Sequence, residues 1–126
     1  MPGQLTPLVL LPRYTSYAGK PSTGTLYFAT IAMDVTEYSS AIVNVWRGKV
    51  VGGTTPGITF TLQESTDQLF WTTCTGTSAG FDPGENTEVQ YNATLTKRWL
   101  RIIINLGGAD NVASCWAVGF LEQRES

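Results

Sequence analysis

A two-sheet antiparallel β-sandwich or small barrel is predicted, and three observations predict it. Apolar residues recur at every second position in short segments between Leu26 and Leu121, the spacing that turns one face of a strand towards a core. Gly- and Pro-containing stretches separate those segments and act as turns. No window sustains the 3.6-residue period of an amphipathic helix. With 126 residues, one domain with its own core is expected.

Residues 1–25 are read as an extended arm. Four of the six prolines fall there, Pro2, Pro7, Pro12 and Pro21, with Gly3, Gly19 and Gly24. Proline has no ladder donor, so a central strand is excluded and a short edge strand over Leu8–Leu11 is the most this region can form. Leu8, Val9, Leu10 and Leu11 are too apolar to be left in water, and they are expected to order against a partner subunit. The competing expectation is that they fold back on their own sandwich.

The sandwich is assigned to residues 26–122. Leu26–Val35 sets Tyr27, Ala29, Ile31, Met33 and Val35 against Phe28, Thr30, Ala32 and Asp34. Ala41–Val51 sets Ala41, Val43 and Val45 against Ile42, Asn44 and Trp46. Residues 52–57 read as a loop. Ile58–Glu64 places Ile58, Phe60 and Leu62 inward, then Ser65–Gln68 turns the chain into a return strand over Leu69–Cys74. A second loop spans Gly76–Asn86. Glu88–Leu95 directs Val89, Tyr91, Ala93 and Leu95 inward. Trp99–Leu106 buries Leu100, Ile102, Ile104 and Leu106. Gly107–Asn111 turns, and Ala113–Leu121 is apolar on both faces, as a doubly covered strand would be. From it, Trp116, Val118 and Phe120 are expected to join the core with Phe60, Leu62, Val89, Tyr91, Leu100, Ile102 and Ile104. Residues 123–126 read as a polar tail.

Composition narrows the function. Charged residues make up 14% of the chain, the formal net charge is −2, and there are 18 Thr and 8 Ser. A Thr-rich, weakly charged surface suits strands and protein contacts, and this charge balance carries no footprint for nucleic acid. The absence of histidine removes Ser-His-Asp and Cys-His nucleophiles and His-ligated zinc. No apolar run reaches the roughly 18–20 residues of a membrane span. No leader is expected either, since the early apolar run is stopped by Pro12.

Three stretches carry a resemblance. Ile58-Thr59-Phe60-Thr61-Leu62-Gln63-Glu64-Ser65 is followed by Asp67 and by Trp71-Thr72. Later come Lys97-Arg98-Trp99-Leu100-Arg101-Ile102-Ile103-Ile104 and Ala117-Val118-Gly119-Phe120-Leu121-Glu122. This order resembles the discoidin and galactose-binding-like jelly rolls. It also resembles small virion structural proteins of tailed bacteriophages that reuse the same strand pattern. The resemblance covers residues 58–122, roughly half the chain, and implies a jelly-roll-like sandwich. In such a scaffold Trp71 can fold over the sandwich end, and Arg98 or Arg101 can stack on an aromatic or pair with Glu64. The flanking cysteine pair of the secreted members is absent.

The remaining chemistry candidates are few. Asp82, Glu85 and Glu88, with Asn86 between them, form either a solvated acidic loop or an oxygen-rich calcium loop, although their spacing matches no defined one. Cys74 and Cys115 are either buried thiols or a disulfide between neighbouring strands. Asn92-Ala93-Thr94 matches the glycosylation triplet by chance. Trp46, Trp71, Trp99 and Trp116 are either packing residues or a sugar-stacking platform. Trp46 and Trp99, which share faces with polar residues, are the candidates for an interface.

The expectation is therefore a non-enzymatic virion structural protein of a tailed bacteriophage, a capsid decoration, cement or minor head protein assembled in the host cytoplasm. Its partners would be capsid or other virion proteins and copies of itself, a trimer among the options, with no nucleic acid, membrane, metal or cofactor. Its interaction residues would be Leu8, Val9, Leu10, Leu11, Trp46 and Trp99. The alternative is a carbohydrate-binding discoidin-like module.

Overall fold

Period-two alternation becomes nine strands among the described residues: β1 (Leu5–Ala18), β2 (Thr25–Ala29), β3 (Met33–Asp34), β4 (Tyr38–Arg47), β5 (Thr54–Ser65), β6 (Thr72–Thr73), β7 (Thr87–Thr94), β8 (Trp99–Ala109) and β9 (Val112–Gln123). The structure, a computed structural model, describes residues 5–19, 25–52 and 54–124, without the side chains of residues 14, 54–56 and 109. A front sheet has the order β1-β9-β4-β7, and a back sheet the order β2-β8-β5-β6, with β3 also paired to β8. Every strand pair is antiparallel. All connections except β2–β3 and β5–β6 cross from one sheet to the other. The result is the predicted all-β sandwich, with jelly-roll-like connectivity.

The core is an interdigitation of large with small. The back sheet supplies Ile58, Phe60, Leu62, Leu100, Ile102, Ile104 and Leu106, all buried as the alternation predicts. The front sheet answers with Ala41, Val43, Val45, Ala93, Ala113, Cys115 and Ala117. Bulky side chains on one layer favour small ones opposite at native packing density, and the large residues that the front sheet buries are Leu8, Leu10, Leu11 and Leu121. That reverses the expected faces of β9. Its inward set is Ala113, Cys115, Ala117 and Leu121, while Phe120 is 43% exposed and Val118 is half-buried. Trp116 is buried, but on the outer face and by other means. Val89 and Tyr91 are half-buried on β7, an edge strand, with Tyr91 packed against the core.

The amino-terminal arm is a second correction. Residues 5–18 form an edge strand of the same sandwich, running antiparallel to β9 from Leu5↔Glu122 to Ala18↔Val112. Leu8, Leu10 and Leu11 are buried in this chain's own core, so these three are not free to order against another subunit. Two consecutive leucines can both point inward because the register slips between Val9 and Leu11, and again between Leu11 and Thr15. Such bulges break the alternation, and an edge position tolerates Pro7 and Pro12. Among the described residues the sandwich therefore includes β1 from Leu5 rather than starting at Leu26, and its last strand ends with Gln123. The parts of the arm and tail at residues 1–4, 20–24 and 125–126 lie outside the described residues, as does Gly53 of the expected 52–57 loop.

Three smaller differences follow from local chemistry. The expected strand over Leu26–Val35 breaks into β2 and β3, with Leu26 and Phe28 half-buried and Tyr27 and Ile31 exposed. Backbone from Thr54 pairs with β8, so part of the expected 52–57 loop is strand. The return strand over Leu69–Cys74 shrinks to Thr72–Thr73, because side chains of the preceding turn capture the backbone first.

Candidate interaction surface

Outward-facing residues of the front sheet form an apolar ladder. By register, Phe120 on β9 lies between Pro7 on β1 and Ile42 on β4. One step along, Val118 lies between Val9 and Asn44, and beyond it Trp116 is paired with Trp46. Val9 is 55% exposed. Pro7, Val9, Arg13, Val118 and Phe120 line a groove of about 490 Å³. Strand alternation makes this face inevitable once Ala113, Cys115 and Ala117 take the inner side.

The tryptophan end of the ladder is rigid. The Trp46 and Trp116 rings stack with centroids 4.4 Å apart, and the Arg13 guanidinium lies 4.6 Å from the centre of the Trp116 ring. The Trp116 indole N–H donates to Glu88 at 2.8 Å. Trp116 is thus covered from outside by an aromatic and a cation.

A second exposed apolar feature sits at the end of the back sheet. The Ser65 hydroxyl accepts from the N–H groups of Asp67 and Gln68 (3.2 and 2.9 Å) and donates to the Asp67 carboxylate. Asp67 Oδ1 in turn accepts from the N–H groups of Leu69 and Phe70 (2.8 and 3.1 Å). Those backbone donors hold the Asp67 carboxyl below the usual aspartate range. Gln68 takes a left-handed φ of 64° and accepts from the Trp71 indole N–H through its carbonyl. Short polar side chains that capture nearby backbone donors compete with a strand. The turn therefore continues, and it presents Leu69 and Phe70 at 78% and 79% exposure. Sequence reasoning missed this tip, although Ser65 and Asp67 two positions apart already signal such a turn.

Of the expected interaction residues, Val9 and Trp46 are brought to the front face, while Leu8, Leu10 and Leu11 lie beneath it. Trp99 is elsewhere, on the outer face of the back sheet opposite Ser65, with Arg98 4.9 Å from its ring centre. Arg101 lies 3.9 Å from the centre of the Trp71 ring and donates to Gln63. Neither arginine pairs with Glu64, whose buried carboxylate instead accepts from Thr96 N–H and Oγ–H and from Lys97 N–H at 2.8–3.1 Å. The four tryptophans fall on two faces, Trp46 and Trp116 stacked on the front sheet and Trp71 and Trp99 at the back sheet, rather than in one platform.

The polar candidates are engaged in scaffold contacts. Arg47 donates to both Asp82 oxygens at 2.8 and 3.1 Å, which lowers the Asp82 pKa. Among the described residues no three His, Cys, Asp or Glu side chains converge as a metal site would require. Cys74, just past β6, and Cys115, on β9, are free, buried thiols, and burial pushes each up to about 12. A polar cleft of about 810 Å³ opens between Asp34, Glu37, Lys97, Arg98 and Arg124. There Asp34 binds the Thr36 hydroxyl and backbone and then Arg98, and is held at about 2. Comparison of the chain with protein-family models, curated proteins and solved structures finds no match.

Proposed function

We propose that this chain is a non-enzymatic structural protein of a virion, of the tailed-bacteriophage kind its strand pattern resembles. It would stabilise a shell through protein–protein contacts as a decoration or minor head protein. One observation carries the reading: the apolar ladder on the outer face of the front sheet, with Pro7, Val9, Val118, Phe120 and the Trp46–Trp116 stack in register. A contiguous apolar face on a sandwich marks a surface that another protein covers. Aromatic enrichment with few charges is the composition of an interface centre, and the chain is 14% charged. The sandwich supplies rigidity, so the face is preorganised and little ordering entropy opposes association.

The test is co-sedimentation with shells of the parent particle. The wild-type chain is expected in the shell fraction. Val118→Asp is expected in the supernatant with an unchanged far-ultraviolet circular dichroism spectrum, because that side chain faces outward. A wild-type chain that leaves shells bare and instead binds immobilised oligosaccharides would overturn the proposal in favour of a carbohydrate-binding module.

A further inference from the structure

We infer that the front-sheet groove receives the Leu69–Phe70 tip of a second copy of this chain. The inference rests on the reading of the front face as a protein-contact surface, and it names the occupant.

Two exposed apolar features belong to different sheets of the sandwich. One is convex: the tip, where adjacent Leu69 and Phe70 project into solvent. The other is concave: the groove between β1 and β9. The tip extends the back sheet past Ser65, and the groove lies on the front-sheet face turned away from the back sheet. A molecule cannot fill its own groove, so the two features can meet only between molecules.

Shape and charge both favour the pairing. The tip is held by the Ser65 and Asp67 hydrogen bonds, so its two apolar side chains lose little backbone freedom on docking. A groove of about 490 Å³ lies within the roughly 300–1,000 Å³ of sites that bury compact apolar groups. Residues 65–71 carry one charge, Asp67, and the groove lining carries one, Arg13. The single charge of the tip and the single charge of the groove lining are opposite in sign, and opposite charges at a rim favour the encounter. Because tip and groove are different surfaces, the contact is head-to-tail. Such a contact generates a closed ring or an open filament, both suited to coating a shell.

The experiment is a complementation of variants of the full chain, followed by light scattering after size exclusion over a concentration series. The wild type is expected to self-associate. Phe70→Asp removes the tip and Phe120→Asp blocks the groove, and each variant alone is expected to remain a monomer with native circular dichroism. An equimolar mixture is expected to yield a heterodimer and nothing larger, since the first variant keeps its groove and the second its tip. Leu69→Ser and Val9→Asp repeat the test at exposed positions should either first variant fold poorly.

A wild-type chain that is monomeric at every concentration overturns the inference. So does an oligomer that Phe70→Asp leaves intact, as it would if two front faces met symmetrically, or a mixture that stays monomeric. A tip that inserts into phosphatidylserine vesicles, without self-association, also overturns it. Retention of shell binding by Phe70→Asp, with loss in Val118→Asp, would show that this inference had failed while the proposed function stood.

Discussion

Glu64 closes the inward run Ile58, Phe60, Leu62 on β5, and it is the one charged residue among the buried polar groups of the described residues. Its carboxylate holds the turn between β7 and β8 by accepting from two backbone N–H groups and the Thr96 hydroxyl. Hydrogen bonds to a charged acceptor are stronger than neutral ones, and donors left unmatched cost their full desolvation. Glu64→Ala is expected to lower stability by about 2–4 kcal/mol in urea unfolding, because those donors lose their acceptor. A loss under about 1 kcal/mol would mean that water takes over the role. The sequence offered Glu64 to Arg98 or Arg101; its inward place and its true partners were not read from it. Backbone donors from residues 32 and 33 positions away leave no pattern in side-chain types.

At the scale of elements, β1 changes what the amino-terminal segment means. Its buried Leu8, Leu10 and Leu11 each contribute about 1.5–3 kcal/mol by burial, and together rival the roughly 5–15 kcal/mol that hold a typical domain. A chain starting at Thr25 is therefore expected to lose cooperative thermal unfolding and the β-sheet signal in circular dichroism. Retention of both would return the segment to the status of an arm. Two ion pairs fasten other elements: Arg47–Asp82 ties β4 to the loop before β7, and Arg98–Asp34 ties the turn before β8 to β3. Both aspartates are held below their ordinary 3.8, Asp82 by Arg47, and Asp34, at about 2, by the Thr36 hydroxyl and N–H before Arg98. The unfolded chain thus binds more protons in acid, so this stabilisation is present above about pH 4 and is lost as pH falls through the folded values. The thermal midpoint is expected to decline from pH 5 to pH 2, and Asp82→Asn to make the decline shallower. A variant with the wild-type slope would remove Asp82 from the account. Both pairs are mostly surface contacts, and their effect should shrink in salt.

At the scale of the whole molecule, the two thiols report on the closure of the sandwich. Cys74, beside β5, and Cys115, on β9, are buried and pushed up to about 12, so thiolate is scarce in the native state near pH 8. Neither is expected to react with an aromatic disulfide reagent until the sandwich opens. In urea both should react at once, and at low denaturant their rates should follow global unfolding. Rapid reaction of one thiol in the native protein would reveal a local opening at its sheet.

The positions and inner faces of β5, β7 and β8 were readable directly, and for β4 the two alternating sets were. A half-buried strand writes its burial into every second residue, as Phe60, Leu62, Ile102 and Ile104 do. The face of β9 was not readable, because both of its sets are apolar and the choice depends on the volume left by large residues across the core. Nor was the place of β1, since bulges break its period and a proline-bearing segment fits both an arm and an edge. Turn chemistry at Ser65 and Asp67 lay in view, yet the exposure of Leu69 and Phe70 depends on where β5 ends. Local pattern specifies which residues can share a face. Which face meets the core, and which is left for a partner, depends on packing between segments far apart in the chain, and that information exists only in three dimensions.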